Sequence, residues 1–232
     1  PLNTLLRSQD FHFLIDDSEC KGLVYSEEFR AEVEGSLVSL SSELPLIIKS
    51  ENSNDGLKKL LLESPDELKA HPSKVQSECF WLYSSGTTGR PKGTVHLQRD
   101  MVVTSQYYGI ETLGMDEKDV FYSAAKLFFA YGLGNAMTFP LWIGGTSVLD
   151  PGRPTPDCTF DNIQKFKPTL FFGVPTLYAA QLQALETKNV DFLSLRQCIS
   201  AGEALPPDIF RRWKEKTGVV ILDGIGSTEL LH

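Results

Sequence analysis

Apolar positions along the chain alternate between a helical rhythm and short continuous runs. In SQDFHFLIDDSE, Phe11, Leu14 and Ile15 share one stripe at helical spacing. GLVYSE then predicts a short strand, EEFRAEVEGSLVSL a helix and LPLIIKS a second strand, so residues 1–50 read as a βαβ segment. Polar residues dominate ENSNDG, the brief helix LKKLLLE and SPDELKAHPSKVQSE, and residues 51–77 read as a seam between subdomains. From 78 to 232 a core resumes. CFWLYSS predicts a strand, LQRDMVVTSQYYGIETLG a helix, VFYSAA a strand, AYGLGNAMTFPLWIGG an apolar segment closed by a glycine pair, and TSVLD a strand. PDCTFDNIQKFK and TLFFGV follow as helix and strand; Pro175 opens another helix, LRQCISAG is a strand, PPDIFRRWKEKTG a helix stopped by glycine, and VVILDG the last strand. Strands alternating with helices predict an α/β fold of mostly parallel sheets flanked by helices, in two sheet systems. In such folds ligands gather at the carboxyl ends of strands.

With 41% apolar residues among 232, the chain can bury a sizeable core. A net charge of −8 argues against nucleic acid as a partner, which wants a basic face. No membrane partner is expected either, because no apolar run approaches a membrane span and no signal peptide opens the chain. Cys20, Cys79, Cys158 and Cys198 lie far apart without a CxxC pair, and read as buried small apolar residues in a reducing cytoplasm.

Three strand-end loops concentrate the chemistry: YSSGTTGRPKG, SAGEALP and DGIGSTE. In the first, Gly86, Gly89 and Gly93 let the backbone approach a ligand, and successive N–H groups can form an anion nest. Ser84, Ser85, Thr87 and Thr88 add hydroxyls, Lys92 a point charge and Arg90 a planar fork. The design suits polyphosphate, yet it is not a Walker A loop, because Gly93 follows Lys92 where that motif needs Ser or Thr. There is no G-x-S-x-G elbow for a serine hydrolase. His12, His71 and His96 show no metal-ligand spacing with acids or cysteines, and RRWKEK reads as a solvated helix face.

Together, and in this order, the three loops resemble the signature motifs of the AMP-forming acyl-CoA synthetase (adenylate-forming) superfamily. GTTGRPKGTVHLQRDM, KLFFAYGLGN, FFGVPTLY, CISAGEALP and DGIGSTELLH more narrowly resemble benzoate–CoA ligases and relatives acting on aromatic acids. The resemblance implies ATP, Mg²⁺ and coenzyme A as cofactor and cosubstrates, and a small aromatic carboxylic acid as substrate. It implies that Ser84, Ser85, Gly86, Thr87, Thr88, Gly89 and Lys92 hold the β- and γ-phosphates. Gly202, Glu203 and Ala204 would pack on the adenine, with Asp223, Gly224 and Ile225 beside it and Asp223 accepting from its amino group. Thr228 would bond the α-phosphate and Glu229 would bind Mg²⁺; Lys92, Thr228 and Glu229 form the implied catalytic set. Phe129, Ala130, Tyr131, Gly132, Gly226 and His232 would wall the acyl pocket.

Two positions depart from the superfamily's pattern. Ile225 stands where many members have an adenine-stacking aromatic residue, and Lys126 where many have proline. Superfamily members are about twice this long, so the chain reads as an internal fragment of the large amino-terminal domain, without the carboxy-terminal domain and inactive alone. The full-length protein is compatible with a homo-oligomer. The alternatives are another adenylating ligase, using an aliphatic or hydroxylated aromatic acid, and a non-catalytic nucleotide-binding module of the same fold.

Overall fold

The computed structural model describes every residue except 39, 42–43, 51–55 and 86–88. The chain divides into two units, Leu2–Pro72 and Ser73–His232. In the first, α1 (Ser8–Ser18) buries Phe11, Leu14 and Ile15, the stripe its spacing predicts. Strand β1 (Gly22–Tyr25) pairs in parallel with β2 (Leu46–Lys49). Between them the helical stretch is shorter than its pattern suggests: a 3₁₀ turn, Glu27–Phe29, leads into α2 (Arg30–Ser36). Glu32 on α2 accepts from the Ser8 backbone and hydroxyl, each at 2.7 Å, and so caps the open start of α1 from outside. Helix α3 (Leu57–Glu63) buries none of its residues.

The second unit opens with a hairpin. Strand β3 (Glu78–Ser85) pairs antiparallel with β4 (Pro91–Leu97), Ser84 opposite Lys92 and Phe80 opposite His96. The sequence pattern places Pro91 to Gly93 in the loop YSSGTTGRPKG and assigns nothing to the residues that follow; Pro91 is tolerated as the strand's first residue. The long helix expected next changes character midway. It is α-helical as α4 (Gln98–Thr104) and π-helical over Ser105–Thr112. A second π segment, Gly134–Thr138, joins α5 (Ala130–Leu133) to α6 (Phe139–Ile143).

Five strands form the central sheet: β5 (Val120–Ser123), β6 (Thr146–Val148), β7 (Leu170–Gly173), β8 (Gln197–Ser200) and β9 (Ile221–Asp223). All are parallel, in the order β6-β5-β7-β8-β9. The connecting helices α7 (Pro156–Phe166), α8 (Pro175–Ala184) and α9 (Pro207–Thr217) each start with proline, whose missing N–H costs nothing there. Alternation along the strands sends neighbours to opposite cores. Tyr122, Phe171, Cys198 and Ile221 pack with Phe160, Ile163, Tyr178 and Trp213, whereas Phe121, Leu170, Phe172 and Ile199 pack with Leu113, Met115 and Phe139. Trp213 lies within RRWKEK and is fully buried, so that stretch is a solvated face only for its charged members.

The cysteines depart from expectation: all four are free, but only Cys198 is buried. The Cys158 thiol donates to Asp150 at 2.8 Å. That hydrogen bond, with burial adding to it, raises its pKa to about 11 and keeps it protonated. Among the described residues no helix is long and apolar enough to cross a membrane.

Candidate functional site

The carboxyl ends of β8 and β9 open on a cavity of about 160 Å³. After β8, Ala201 and Gly202 line it; after β9, Gly224 to Thr228 do; Ala130 and Tyr131, from the start of α5, form another wall. Tyr108, Leu231 and His232 complete it. The turns that build these walls have local causes. Gly202 sits at φ +97°, a conformation that favours glycine. The Gly224 N–H donates to the Ser200 carbonyl at 2.7 Å, carrying the β8–β9 pairing one residue past the strand. The Asp223 carboxylate accepts from the Leu205 N–H at 3.1 Å and so shapes the SAGEALP turn, leaving its other oxygen with acceptor capacity.

Polarity inside the cavity is unusual. Tyr131 donates its hydroxyl to the Gly173 and Ile199 carbonyls, 3.2 Å each, and burial holds its pKa well above the ordinary phenol value. The phenol is therefore a fixed neutral group. His232 sits among Phe139, Tyr108 and Tyr131, with ring centroids 4.9, 5.3 and 5.7 Å away. The residue is partly exposed, but both ring nitrogens are buried and make no well-formed hydrogen bond among the described residues, the Tyr131 backbone being near enough only to oppose the effect of burial. Burial lowers its pKa to about 4, with the Tyr131 backbone opposing slightly, so the imidazole is neutral near pH 7. Gly134 makes room for it: a Cβ there would lie 2.2 Å from the imidazole Cε1.

Of the residues that sequence reasoning assigns to the acyl pocket, the structure brings Ala130, Tyr131, Gly226 and His232 to the cavity wall; Gly202, Gly224, Ile225 and Thr228 are there too. Ile225 is 92% exposed at this wall. Phe129 and Gly132 are elsewhere. The Phe129 ring packs on Phe128 at 4.7 Å and remains half exposed. Gly132 is buried, and a Cβ on it would strike the Lys126 carbonyl at 2.1 Å, so it serves close backbone packing instead of opening space for a ring. Lys126, the residue in the proline position, donates to the carbonyls of Asp150 and Gly152 and ties that turn to the end of β6.

Among the phosphate-loop residues, Gly86, Thr87 and Thr88 lie outside the described residues. Ser84 and Ser85 end β3, Gly89 adopts φ +85° and Lys92 is exposed near the start of β4. Glu203 and Ala204 are exposed after β8. Glu229 is exposed beside Thr228. Its own N–H and the Ser227 hydroxyl hold its carboxyl below the usual value, with His96 adding a smaller pull, so it is an ionised, accessible hard ligand. Among the described residues no three His, Cys, Asp or Glu gather to hold a metal. The Glu229 carboxylate is a hard oxygen donor of the kind Mg²⁺ takes.

Tyr108, Ala201, Ser227 and Leu231 are wall residues that sequence reasoning passes over. It also discounts His96, which is buried and bonded to the Thr228 carbonyl. A signal existed in the His–Asp spacing of four from His96 to Asp100, which brings the two side chains to 3.4 Å.

This arrangement, glycine-rich turns at strand ends around a small aromatic-walled cavity, suits a nucleotide joined to a compact apolar group. All 232 residues match the family model described as AMP-binding enzyme, and the chain belongs to that family. It is 46% identical to the benzoate–CoA ligase of Thauera aromatica over 100% of this chain and 44% of that protein. It is 40% identical to the 4-hydroxybenzoate–CoA/benzoate–CoA ligase of Rhodopseudomonas palustris, over 100% of this chain and 43% of that protein. The solved benzoate CoA ligase of Burkholderia xenovorans LB400 superposes with a TM-score of 0.89 at 40% identity, covering 99% of this chain and 45% of that one. The chain thus spans less than half the length of these relatives.

Proposed function

We propose that the protein carrying this chain activates an aromatic carboxylic acid as its acyl-adenylate and passes the acyl group to coenzyme A, with benzoate as the leading acid. A carboxylate oxygen attacks the α-phosphorus of ATP, and the bond to pyrophosphate breaks. The thiolate of coenzyme A then attacks the acyl carbon and AMP leaves. Ser84, Ser85, Gly89 and Lys92, with the neighbouring Gly86, Thr87 and Thr88, hold the β- and γ-phosphates. Thr228 donates to the α-phosphate, Asp223 accepts from the adenine amino group, and Gly202 to Ala204 pack on the base. Mg²⁺ held at Glu229 would neutralise charge developing on the phosphates.

The observation that carries the acid's identity is the cavity. A closed apolar space of about 150 Å³ is enough to take up one benzene molecule. The cavity here is about 160 Å³ and open on one side, with Tyr108, Tyr131 and Ala130 among its walls, so it has room for a single ring. One specific observation favours a second reading, a hydroxylated ring. The two buried nitrogens of His232 make no well-formed hydrogen bond among the described residues, and a neutral imidazole can accept from a ring hydroxyl through its unprotonated nitrogen.

The test is acid-dependent exchange of pyrophosphate into ATP by the complete gene product, with benzoate, 4-hydroxybenzoate and acetate compared. Exchange with benzoate above the others is expected. A hydroxybenzoate preference selects the second reading, and exchange with acetate alone discards the aromatic pocket. Absence of exchange with any acid leaves a nucleotide-binding module without ligase chemistry.

A further inference from the structure

We propose that His96 is a positioning residue that sets the Thr228–Glu229 segment against the strand bearing Lys92. Its consequence for catalysis rests on the reading above. His96 is 3% exposed, near the end of β4. Its Nε2 lies 2.7 Å from the Thr228 carbonyl oxygen, across 132 residues of sequence. A carbonyl only accepts, so Nε2 donates. The ring is held from two further sides. Phe80, directly across the hairpin, stacks on it with centroids 5.0 Å apart. Asp100 Oδ2 lies 3.4 Å from Nδ1, and the same oxygen accepts from the Leu97 N–H at 2.8 Å, which fixes the carboxylate at the start of α4.

Strand geometry gives the contact its meaning. Residues two and four apart on a strand face the same side, so Lys92 shares the face of β4 from which His96 reaches Thr228. Pairing is regular from His96 opposite Phe80 to Lys92 opposite Ser84. The hairpin therefore acts as a ruler: its phosphate-loop end and its His96 end are spaced by four strand residues, about 13 Å. The hydrogen bond ties the carbonyl of Thr228, one peptide from Glu229, to one end of that ruler. Leu231 adds an apolar tie further along by packing with Leu82 and Leu133. An orphaned Thr228 carbonyl would free the two residues proposed to meet the α-phosphate and the metal.

The experiment uses the complete gene product and two variants. His96→Leu keeps an apolar filler but removes the donor. His96→Gln restores a nitrogen donor near the place of Nε2. Hydrogen exchange by mass spectrometry reads positioning without reference to activity. The Leu variant should exchange faster across 227–231 while β7 and β8 stay protected, and the Gln variant should return toward wild type. In pyrophosphate exchange the Leu variant should lose about a hundredfold in kcat, the scale of a misplacement on the order of 1 Å, with KM for the acid unchanged. The Gln variant should recover most of it. Unchanged exchange across 227–231 in the Leu variant overturns the proposal, as does equal impairment of both variants. If the wild type shows no acid-dependent exchange while the 227–231 pattern holds, the ligase reading fails and the positioning role stands.

Discussion

Asn in place of Asp119 isolates what clamps the amino-terminal ends of the central strands, far in sequence from the ligand loops. Asp119 lies just before β5 and its side chain is 5% exposed. Its Oδ1 accepts from Arg196 Nε at 2.9 Å and Thr169 Oγ at 2.6 Å; Oδ2 accepts from Arg196 Nη2 at 2.6 Å and the Asp116 N–H at 3.0 Å. Thr169 precedes β7 and Arg196 precedes β8, so one carboxylate joins the entries of three strands. Asn keeps one acceptor oxygen and turns an amide N–H₂ toward groups that themselves donate. Breaking a fully buried pair costs about 3–5 kcal/mol. The Arg196 side chain is 38% exposed and water can take over part of its guanidinium, so about 2–3 kcal/mol is the better figure here.

Urea titration followed by circular dichroism and tryptophan fluorescence should show that loss at pH 7, and the melting midpoint should fall by about 4–10 °C. The pH dependence gives a second check. Burial pushes the Asp119 carboxyl up, but the Arg196 and Thr169 hydrogen bonds and the Asp116 N–H outweigh it and hold the pKa below its ordinary value. The ionised form therefore stabilises the fold. Its contribution is complete above the unfolded value of about 3.9 and is lost as pH falls through the lower folded value. The gap between wild type and Asp119→Asn should stay constant from pH 7 to about pH 5 and close below about pH 4. A loss under about 0.5 kcal/mol at pH 7, within the range of an ordinary surface change, would mean that the Asp119 carboxylate does not clamp the strand entries.

Gly134→Ala adds no backbone strain, since Gly134 is helical at φ −61°, ψ −59°, but its Cβ must displace the His232 ring. Calorimetry with a benzoyl-AMP mimic should show affinity reduced by about tenfold, or ~1.4 kcal/mol, with little change in melting; unchanged affinity removes His232 from the pocket. His232 also predicts a pH limb, because burial lowers its pKa to about 4. The unfolded chain takes up a proton near pH 6.5 and the folded ring does not until about 4, so stability falls across that window and levels off below it. His232→Phe should flatten that limb in urea midpoints measured between pH 7 and 4. Lys126→Met removes both bonds to the Asp150 and Gly152 carbonyls and should cost about 1–2 kcal/mol, with faster amide exchange at 126–133 as the accompanying sign.

Much of the fold was legible because the strands of the central sheet are short apolar runs set between amphipathic helices. LFFG is buried at every position and PDCTFDNIQKF carries its apolar residues on one side. The placing of the three loops after strands β3, β8 and β9 was legible because glycine and hydroxyl residues cluster there. Strand β4 was hidden by its own motif: proline and glycine read as turn residues until the pairing with β3 supplies the reason they are extended. The two π-helical segments leave no periodic mark distinct from an α-helix over five to eight residues. Gly132 misled because open space and close packing both call for glycine, and only the position of the Lys126 carbonyl separates them. His96 was missed because its partner, a backbone carbonyl 132 residues away, has no side-chain identity to read.

The two ends of the sheet are held by different chemistry, which bears on where a charged ligand can be accommodated. At the entries, the ionised Asp119–Arg196 pair does the joining. At the exits of β7 and β8 the ties are neutral, whereas the end of β9 carries the Asp223 carboxylate, which holds the Leu205 N–H. Tyr131 bonds the Gly173 and Ile199 carbonyls, and Tyr178 bonds the Ile199 carbonyl at 2.8 Å, both phenols kept protonated by burial. A carboxylate clamp at the exits would repel an incoming polyphosphate, and a guanidinium clamp would compete with it for counter-charge. Phenols do neither; they fix the ends of β7 and β8 without adding charge. Asp119→Asn should therefore lower stability and leave the affinity for a benzoyl-AMP mimic unchanged, whereas Tyr131→Phe, which removes a hydroxyl that both ties two strand ends and lines the cavity, should lower both; equal affinity in the two variants would break the contrast.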